Sequence, residues 1–289
     1  MTTTASLGTG VGPLLRGWRE RRRISQLELA LRADSSARHI SFIETGRSRP
    51  SEDMLLRLAE HLEIPVRDRN GLLLAAGYAP RYTETPLEDP AMGALREGIE
   101  RLLRGYDPYP AVVVDGCYNV LAANQGILML LEGVPEHLLT PPLNAMRLTL
   151  HPQGMAPRIR NLAEWRGHLL AQMERQIAHL RSDSLRALYE EVAAYPSAPA
   201  LPEDEATRSG VHHTGRPSED GPAESGPANA YFALPLRIEH RGRVLSFVSS
   251  ISTFNTPMDV TVSELAIETF LPADAETAAH LRALQPQTA

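Results

Sequence analysis

The sequence predicts two domains: an all-α unit of five helices built around a helix-turn-helix, then an α+β domain with an antiparallel sheet. Three observations predict it. Residues 24–50 hold two short amphipathic segments separated by a tight turn. Residues 79–90, APRYTETPLEDP, contain three prolines and read as a linker, since X-Pro steps disfavour helix and stiffen the chain. Beyond them strand signals appear among helices: Tyr109 to Val114 is β-branched and apolar, and Tyr231 to Glu239 and Arg243 to Phe254 alternate. A length of 289 residues suits two domains of ~100–200 residues each. The expected boundaries are a disordered tail at 1–10, the helical domain at 11–78, the linker at 79–90 and the second domain at 91–289.

The helical domain is justified element by element. A first helix is expected from about Gly12 to Arg23, with Pro13 in its first turn and Leu14, Leu15 and Trp18 on its apolar face. The run Arg19-Glu20-Arg21-Arg22-Arg23 closes it, either as a solvated helix end or as a phosphate contact. The next segment spans Gln26 to about Arg32 behind the N-cap candidate Ser25, with Leu27, Ala30 and Leu31 at helical spacing. The following one spans Ser36 to Glu44 behind Ser35, with Ile40 and Ile43 on one face and Gly46 as its stop. Ser51 should cap a fourth helix from Glu52 to about Leu62, and a fifth should run from Val66 to Ala76 and stop at Gly77.

Two short helices, the second opening with small polar and basic side chains, imply a helix-turn-helix entering the DNA major groove. Arg38 is the expected base reader, because its planar fork can pair both acceptors of a guanine. Ser36 and Ser41 can meet base edges or phosphate. Ala37 and Phe42 can touch thymine methyls, and Phe42 reads equally well as a core or dimer-contact residue. His39 reads as a phosphate contact if protonated, or as plain surface. Thr45, Arg47 and Arg49 follow the reading helix and are expected on phosphates, which position the protein without specifying sequence. One such module contacts little DNA, so a homodimer on a pseudo-palindrome of double-stranded DNA is expected.

Charge distribution agrees. The net charge is −6, yet residues 1–80 carry 12 arginines against 9 acids, a net of +3, and the remainder carries −9. All 29 basic residues are arginine.

In the second domain a helix is expected from about Ala91 to Arg104. Tyr109 to Val114 and Tyr118 to Ala122 read as a hairpin turning at Asp115-Gly116, and Asn124 should cap a helix to about Leu131. Helices are expected at about 159–180 and 184–195. Residues 196–229 are rich in Pro, Ser, Gly and acids and read as a disordered inserted loop. Tyr231 to Glu239 and Arg243 to Phe254 alternate like antiparallel strands about Arg241-Gly242. A last helix is expected from Glu264 to about Phe270, capped by Thr261 or Ser263.

Two resemblances arise from these residues. Gln26, Glu28, Leu29 and Ala30, with Ile40 and Ile43-Glu44-Thr45-Gly46-Arg47, resemble the phage-repressor or xenobiotic-response-element type of helix-turn-helix over roughly residues 12–77. In that family the glutamine braces the phosphate backbone and touches the recognition helix, which implies that role for Gln26. Asn144, Arg147, Leu148, His151-Pro152, Gly154, Pro157-Arg158-Ile159, Asn161-Leu162 and Glu164-Trp165 resemble the C-terminal domain of MmyB-like regulators, as does DVTVSELAIETFLPAD. This resemblance implies a PAS-like domain binding a small apolar, fatty-acyl or similar ligand. Val112, Val114, Leu121, Met146, Leu148, Phe232, Leu234, Phe247 and Phe254 could line its pocket, with Arg147 or His151 on an acid head group. Taken singly, each reads more readily as core packing, or for Arg147 as a structural salt bridge, and a pure dimerisation or interaction scaffold without ligand is the alternative.

Other classes find little support. Without lysine there is no Ser–Lys protease dyad, and no His-Glu-x-x-His or glycine-rich phosphate loop occurs. Cys117 has no evident base and, as the one cysteine, makes no internal disulfide. His212-His213 lacks a third ligand at sensible spacing. No enzyme activity, metal or cofactor is expected beyond a bound apolar ligand. With no stretch near ~20 apolar residues and no secretory pattern at the start, no membrane partner and a cytoplasmic location are expected.

Overall fold

The computed structural model describes residues 10–180, 182–196, 233–255 and 257–284. The expected tail (save Gly10), the loop at about 196–229 (save Pro196), Phe232 and the His212-His213 pair lie outside the described residues. The chain divides into two compact units. The first holds residues up to Ala94 together with Thr253–Leu265; the second holds Leu95–Ser252 and residues from Ala266 onward.

In the first unit five helices follow one another: α1 Val11–Arg21, α2 Gln26–Arg32, α3 Ala37–Glu44, α4 Glu52–His61 and α5 Val66–Ala75. Serine hydroxyls start three of them, accepting from Glu28 N at Ser25, His39 N at Ser36 and Met54 N at Ser51. The cap of α3 is thus Ser36, not Ser35. Asp34 takes φ +49° and Ser35 N donates to Ala30 O, so Ser35 still closes α2. Leu15, Trp18, Leu29, Ile40, Ile43, Leu55, Leu58, Leu62 and Leu72 form the core. Each is worth ~1.5–3 kcal/mol buried. The apolar stripe of α2 differs from expectation. Leu29, Ala30 and Ala33 are buried, whereas Leu27 and Leu31 are 61% and 75% exposed.

Residues 79–90 do not run free. Asn70 Oδ1 accepts from the amides of Arg81 and Tyr82, and its Nδ2 donates to Tyr82 O. A short helix, α11 (Val260–Glu264), belongs to this unit and starts at Asp259.

The second unit contains α6 Gly93–Tyr106 from Leu95 onward, α7 Gln125–Leu130, α8 Ala145–Leu150, α9 Leu162–Leu180, α10 Asp183–Ala193 and α12 Ala275–Leu284. Its strands are β1 Ala111–Val114, β2 Val120–Ala123, β3 Leu236–His240, β4 Arg243–Thr253 (to Ser252) and β5 Ala266–Pro272. The five-stranded sheet has the order β2-β1-β5-β4-β3, with β1/β2, β1/β5 and β3/β4 antiparallel. The segment expected as the last helix is therefore a central strand. Ile267 and Thr269 are buried on one face, and Ala266 to Thr269 pair with Val114 to Ala111. Partners at a distance in the chain decide this, overriding the helix propensity of Ala, Glu and Leu.

Asn124 joins three elements. Its Oδ1 accepts from Ala111 N and Ile127 N, and its Nδ2 donates to Tyr109 O and Leu103 O. Glu268 lies opposite Val112 in the β1–β5 ladder, so its half-buried side chain shares the face of a core made by Val112, Val114, Tyr118, Trp165, Met173 and Phe247. Burial pushes this carboxyl up to about 7, against a hydrogen bond with Ser249. A carboxyl raised on folding adds stability that is full below the unfolded pKa and is lost as pH rises through the folded one. Between pH 5 and 8 the unfolding midpoint of the parent is therefore expected to fall relative to Glu268→Gln; parallel profiles contradict the assignment.

Candidate nucleic-acid interface

Helix α3 is held from behind by a buried ion pair. Arg19 Nε donates to Glu44 Oε1 at 2.6 Å and Nη2 to Oε2 at 2.9 Å, while Nη1 donates to Ile24 O. Gln26 Nε2 adds a bond to Glu44 Oε2 at 2.8 Å. Glu44 is 6% and Arg19 9% exposed. The hydrogen bonds to Glu44 raise the guanidinium's pKa, so Arg19 stays charged. The cost of burying two charges is offset because the fork is bidentate and a third donor reaches the carboxylate.

This pair decides what α3 shows to solvent. Its apolar residues Ile40 and Ile43 and its one acid, Glu44, all face inward. Arg38 is exposed, and Ala37, His39, Ser41 and Phe42 are half-buried. Ala37, Arg38, Ser41, Phe42 and Thr45 follow at i, i+1, i+4, i+5 and i+8, one continuous face. The Arg38 guanidinium lies 5.2 Å and that of Arg47 5.9 Å from the Phe42 ring centre. Phe42 therefore acts as a platform that steers two arginines. Ser36, exposed, spends its hydroxyl on the α3 cap, and Thr45 Oγ1 donates to Ser41 O at 2.7 Å.

The loop after α3 is set by Gly46, at φ +72°, with the amides of Arg47 and Ser48 both on Phe42 O. Arg49 stacks on Tyr78 at 4.9 Å and donates to Gly77 O, so part of its guanidinium is committed within the unit. The arginine run ending α1 serves the interior more than either expectation allowed. Arg19 pairs with Glu44, Arg21 stacks on Trp18 at 4.1 Å, and Arg22 donates to Leu62 O and Glu63 O, capping α4. Spacing alone did not reveal Glu44, Leu62 and Glu63, because they lie more than 20 residues away; Trp18 and Arg21 stand three apart on one helix.

In the second unit the named residues fall apart. Met146 and Phe247 are core, with Val112 and Val114 beside them, and Leu234 packs at the core's edge. Leu148 is buried at 5% exposure. Leu121 is exposed on β2, and Phe254 belongs to the first unit, so neither lines this core. Arg147 is taken by Glu191, at 2.8 Å from Nε and 2.7 Å from Nη2, with Tyr195 OH on the same carboxylate. That fork holds Glu191 below its usual range. Arg147 is thus a structural cation between α8 and α10. His151 Nδ1 accepts from Gln153 N and its ring meets Tyr195 edge-on.

The other signature residues also have structural tasks. Asn144 caps α8 and donates to Cys117 O; Arg158 donates to Leu130 O and Glu132 O; Asn161 exchanges bonds with Pro235 O and Arg237 N. At Gly154 an added Cβ would stand 2.4 Å from Leu148 O, which excludes any side chain. Among the described residues no group of three His, Cys, Asp or Glu side chains is arranged to hold a metal, and no helix is long and apolar enough to cross a membrane.

A capped helix pair presenting arginines, joined to a sheet domain, agrees with the class that the family matches give, a DNA-binding transcription regulator rather than an enzyme. Residues 95–284 match the family model described as MmyB-like transcription regulator ligand binding domain, and residues 15–68 match that described as Helix-turn-helix. The chain belongs to the MmyB-like transcription regulators. Among solved structures it is similar to the clp gene regulator ClgR from Corynebacterium glutamicum, at 25% identity over 36% of this chain and 97% of that one, with a TM-score of 0.22. No curated protein matches the chain.

Two tests address α3. In a Trp165→Phe background Trp18 is the one remaining tryptophan, and Glu44→Ala is expected to lower denaturant stability read there by ~3–5 kcal/mol, because Arg19 is left buried and unpaired. On DNA, Arg38→Ala should lose discrimination at one base position, worth ~1–3 kcal/mol. Arg47→Ala should instead weaken all sequences evenly and flatten the salt slope. Even loss across sequences for Arg38→Ala rules it out as the reader.

Proposed function

We propose that the protein binds operator DNA as a homodimer through the exposed face of α3 and that its second unit, read as PAS-like, senses a small apolar ligand of the fatty-acyl kind. The observation that carries the DNA reading is the inward burial of Glu44. It leaves α3 with a face of Arg38, Ser41, Phe42 and Thr45 and no negative charge to repel phosphate. Arg38 is assigned to base edges and Arg47 to phosphate, with Ala37 and Phe42 toward thymine methyls. Gln26, Ser36, His39, Thr45 and Arg49 are assigned to the backbone. Gln26 reaches the end of α3 by donating its Nε2 to Glu44.

The ligand reading rests on the family match and on the make-up of the inner sheet face. The apolar core on that face takes in one phenol, Tyr118 from the β1–β2 turn, and one half-buried carboxyl, Glu268, lies on the same face opposite Val112. Few polar groups within an apolar lining are what small-molecule sites commonly hold. Arg147, engaged by Glu191, is not assigned to an acid head group.

Denaturing the purified protein and extracting it for mass spectrometry should release a stoichiometric acyl compound, and refilling with that compound should raise the melting temperature. No extracted lipid, together with no thermal shift across saturated and unsaturated fatty acids, excludes the fatty-acyl ligand and favours a ligand-free scaffold.

A further inference from the structure

The connection between β4 and β5 does not stay with the sheet. Residues Thr253–Leu265 form part of the compact unit that holds the DNA-reading helices, although the chain on both sides of them is sheet. Their attachment within that unit is dense. Asp259, 8% exposed, accepts at Oδ2 from Thr83 Oγ1 (2.7 Å), Thr85 Oγ1 (2.8 Å) and Thr85 N (3.1 Å). Its Oδ1 starts α11 by accepting from Thr261 N and Val262 N. Val260 N donates to Thr83 O at 2.7 Å, and Val260 and Leu265 are each 1% exposed. Burial opposes the ionised form of Asp259, but the Thr83 and Thr85 bonds outweigh it and hold the carboxyl below its usual range.

A second fastening lies on α5. Arg67 grips Glu264 through Nε (2.7 Å) and Nη2 (3.0 Å), and the same guanidinium grips Glu84. Helix α5 in turn reaches the loop behind the reading helix. Gly77 O, just past its end, accepts from Arg49, and Tyr78 OH donates to Pro50 O at 2.9 Å. A continuous set of bonds thus runs from Asp259 and Glu264, through residues 83–85 and α5, to the loop that carries Arg47 and Arg49.

A strand connection needs a handful of residues at most, and a surface loop needs no buried carboxylate with five donors. We propose that the β4–β5 connection is a tether: the Asp259 and Glu264 clamps transmit strand movement in the sheet to the α5–Arg49 framework behind α3, and DNA binding back to β4 and β5. This rests on the reading of α3 as the DNA-contacting helix. Coupling of this kind is reciprocal, so DNA alone suffices as the probe and no effector is needed.

The experiment is hydrogen exchange on the full chain, with and without a duplex selected from a random DNA pool. In the parent, DNA should slow exchange in α3 and its loop, and also change exchange in β4 and β5 by about fivefold or more, the lower end of ordinary coupling between sites. In Thr83→Val/Thr85→Val and in Asp259→Ala/Glu264→Ala the effect at α3 should persist; the effect in β4 and β5 should shrink in the first, which keeps the Arg67–Glu264 grip, and vanish in the second. The milder pair leaves Asp259 as the α11 cap, so it reports even if the second variant is poorly folded. Protection at α3 without change in β4 and β5 of the parent overturns the tether while leaving the DNA reading intact. The same strand response in both variants also overturns it. Duplex binding without protection at α3 overturns the DNA reading and the tether together.

Discussion

The ion pair between Arg19 and Glu44 is the constraint on which the first unit depends. It joins the end of α1 to the end of α3 at 2.6 and 2.9 Å, and Gln26 brings the start of α2 to the same carboxylate. The opposite end of α1 grips the same place: an added Cβ on Gly12 would stand 2.6 Å from the carbonyls of Ile43 and Glu44. Two helices, α1 and α2, therefore converge on the last turn of α3. That convergence fixes the angle of α3 and removes its acid from the surface. Stability and presentation of Arg38 are consequences of one buried contact, so they cannot be altered independently at Glu44.

Much of the first unit was legible in the sequence because its signals are local. Ser25 and Ser51 cap where a serine precedes an apolar stripe, and Ile40 and Ile43 lie three apart on the face that packs. Errors appear where a distant partner decides. Leu27 and Leu31 fit a helical stripe as well as Leu29 and Ala33 do, and only the position of α3 and α4 selects the latter. The arginine run ending α1 reads as a charged helix end until Glu44, Leu62 and Glu63 are placed beside it. β5 is the clearest case. Ala266 to Thr269 becomes a strand because β1, over 150 residues earlier, offers an edge.

The second unit shows a different limit. Its recognisable residues identify the family, yet the structure occupies them with scaffold work: a cap at Asn144, an ion pair at Arg147, a close approach at Gly154, a cross-link at Asn161. Such a signature marks the architecture and says little about what the domain holds. Of the polar groups at this core, Tyr118 came from no motif, and Glu268 lies within DVTVSELAIETFLPAD but owes its inward face to its register with Val112. Likewise Asp259 looks like a turn residue in the sequence. Its five donors emerge once Thr83 and Thr85, over 170 residues away, are brought to it.

The central claim is that α3 enters the major groove with Arg38 on a guanine edge. Substituting 7-deazaguanine, one position at a time, into a selected duplex removes a single major-groove acceptor and leaves base pairing intact. The account predicts that one substituted position per half-site weakens the parent by about tenfold and leaves Arg38→Ala unaffected. Equal sensitivity of the parent and Arg38→Ala at every guanine, or none in either, contradicts it.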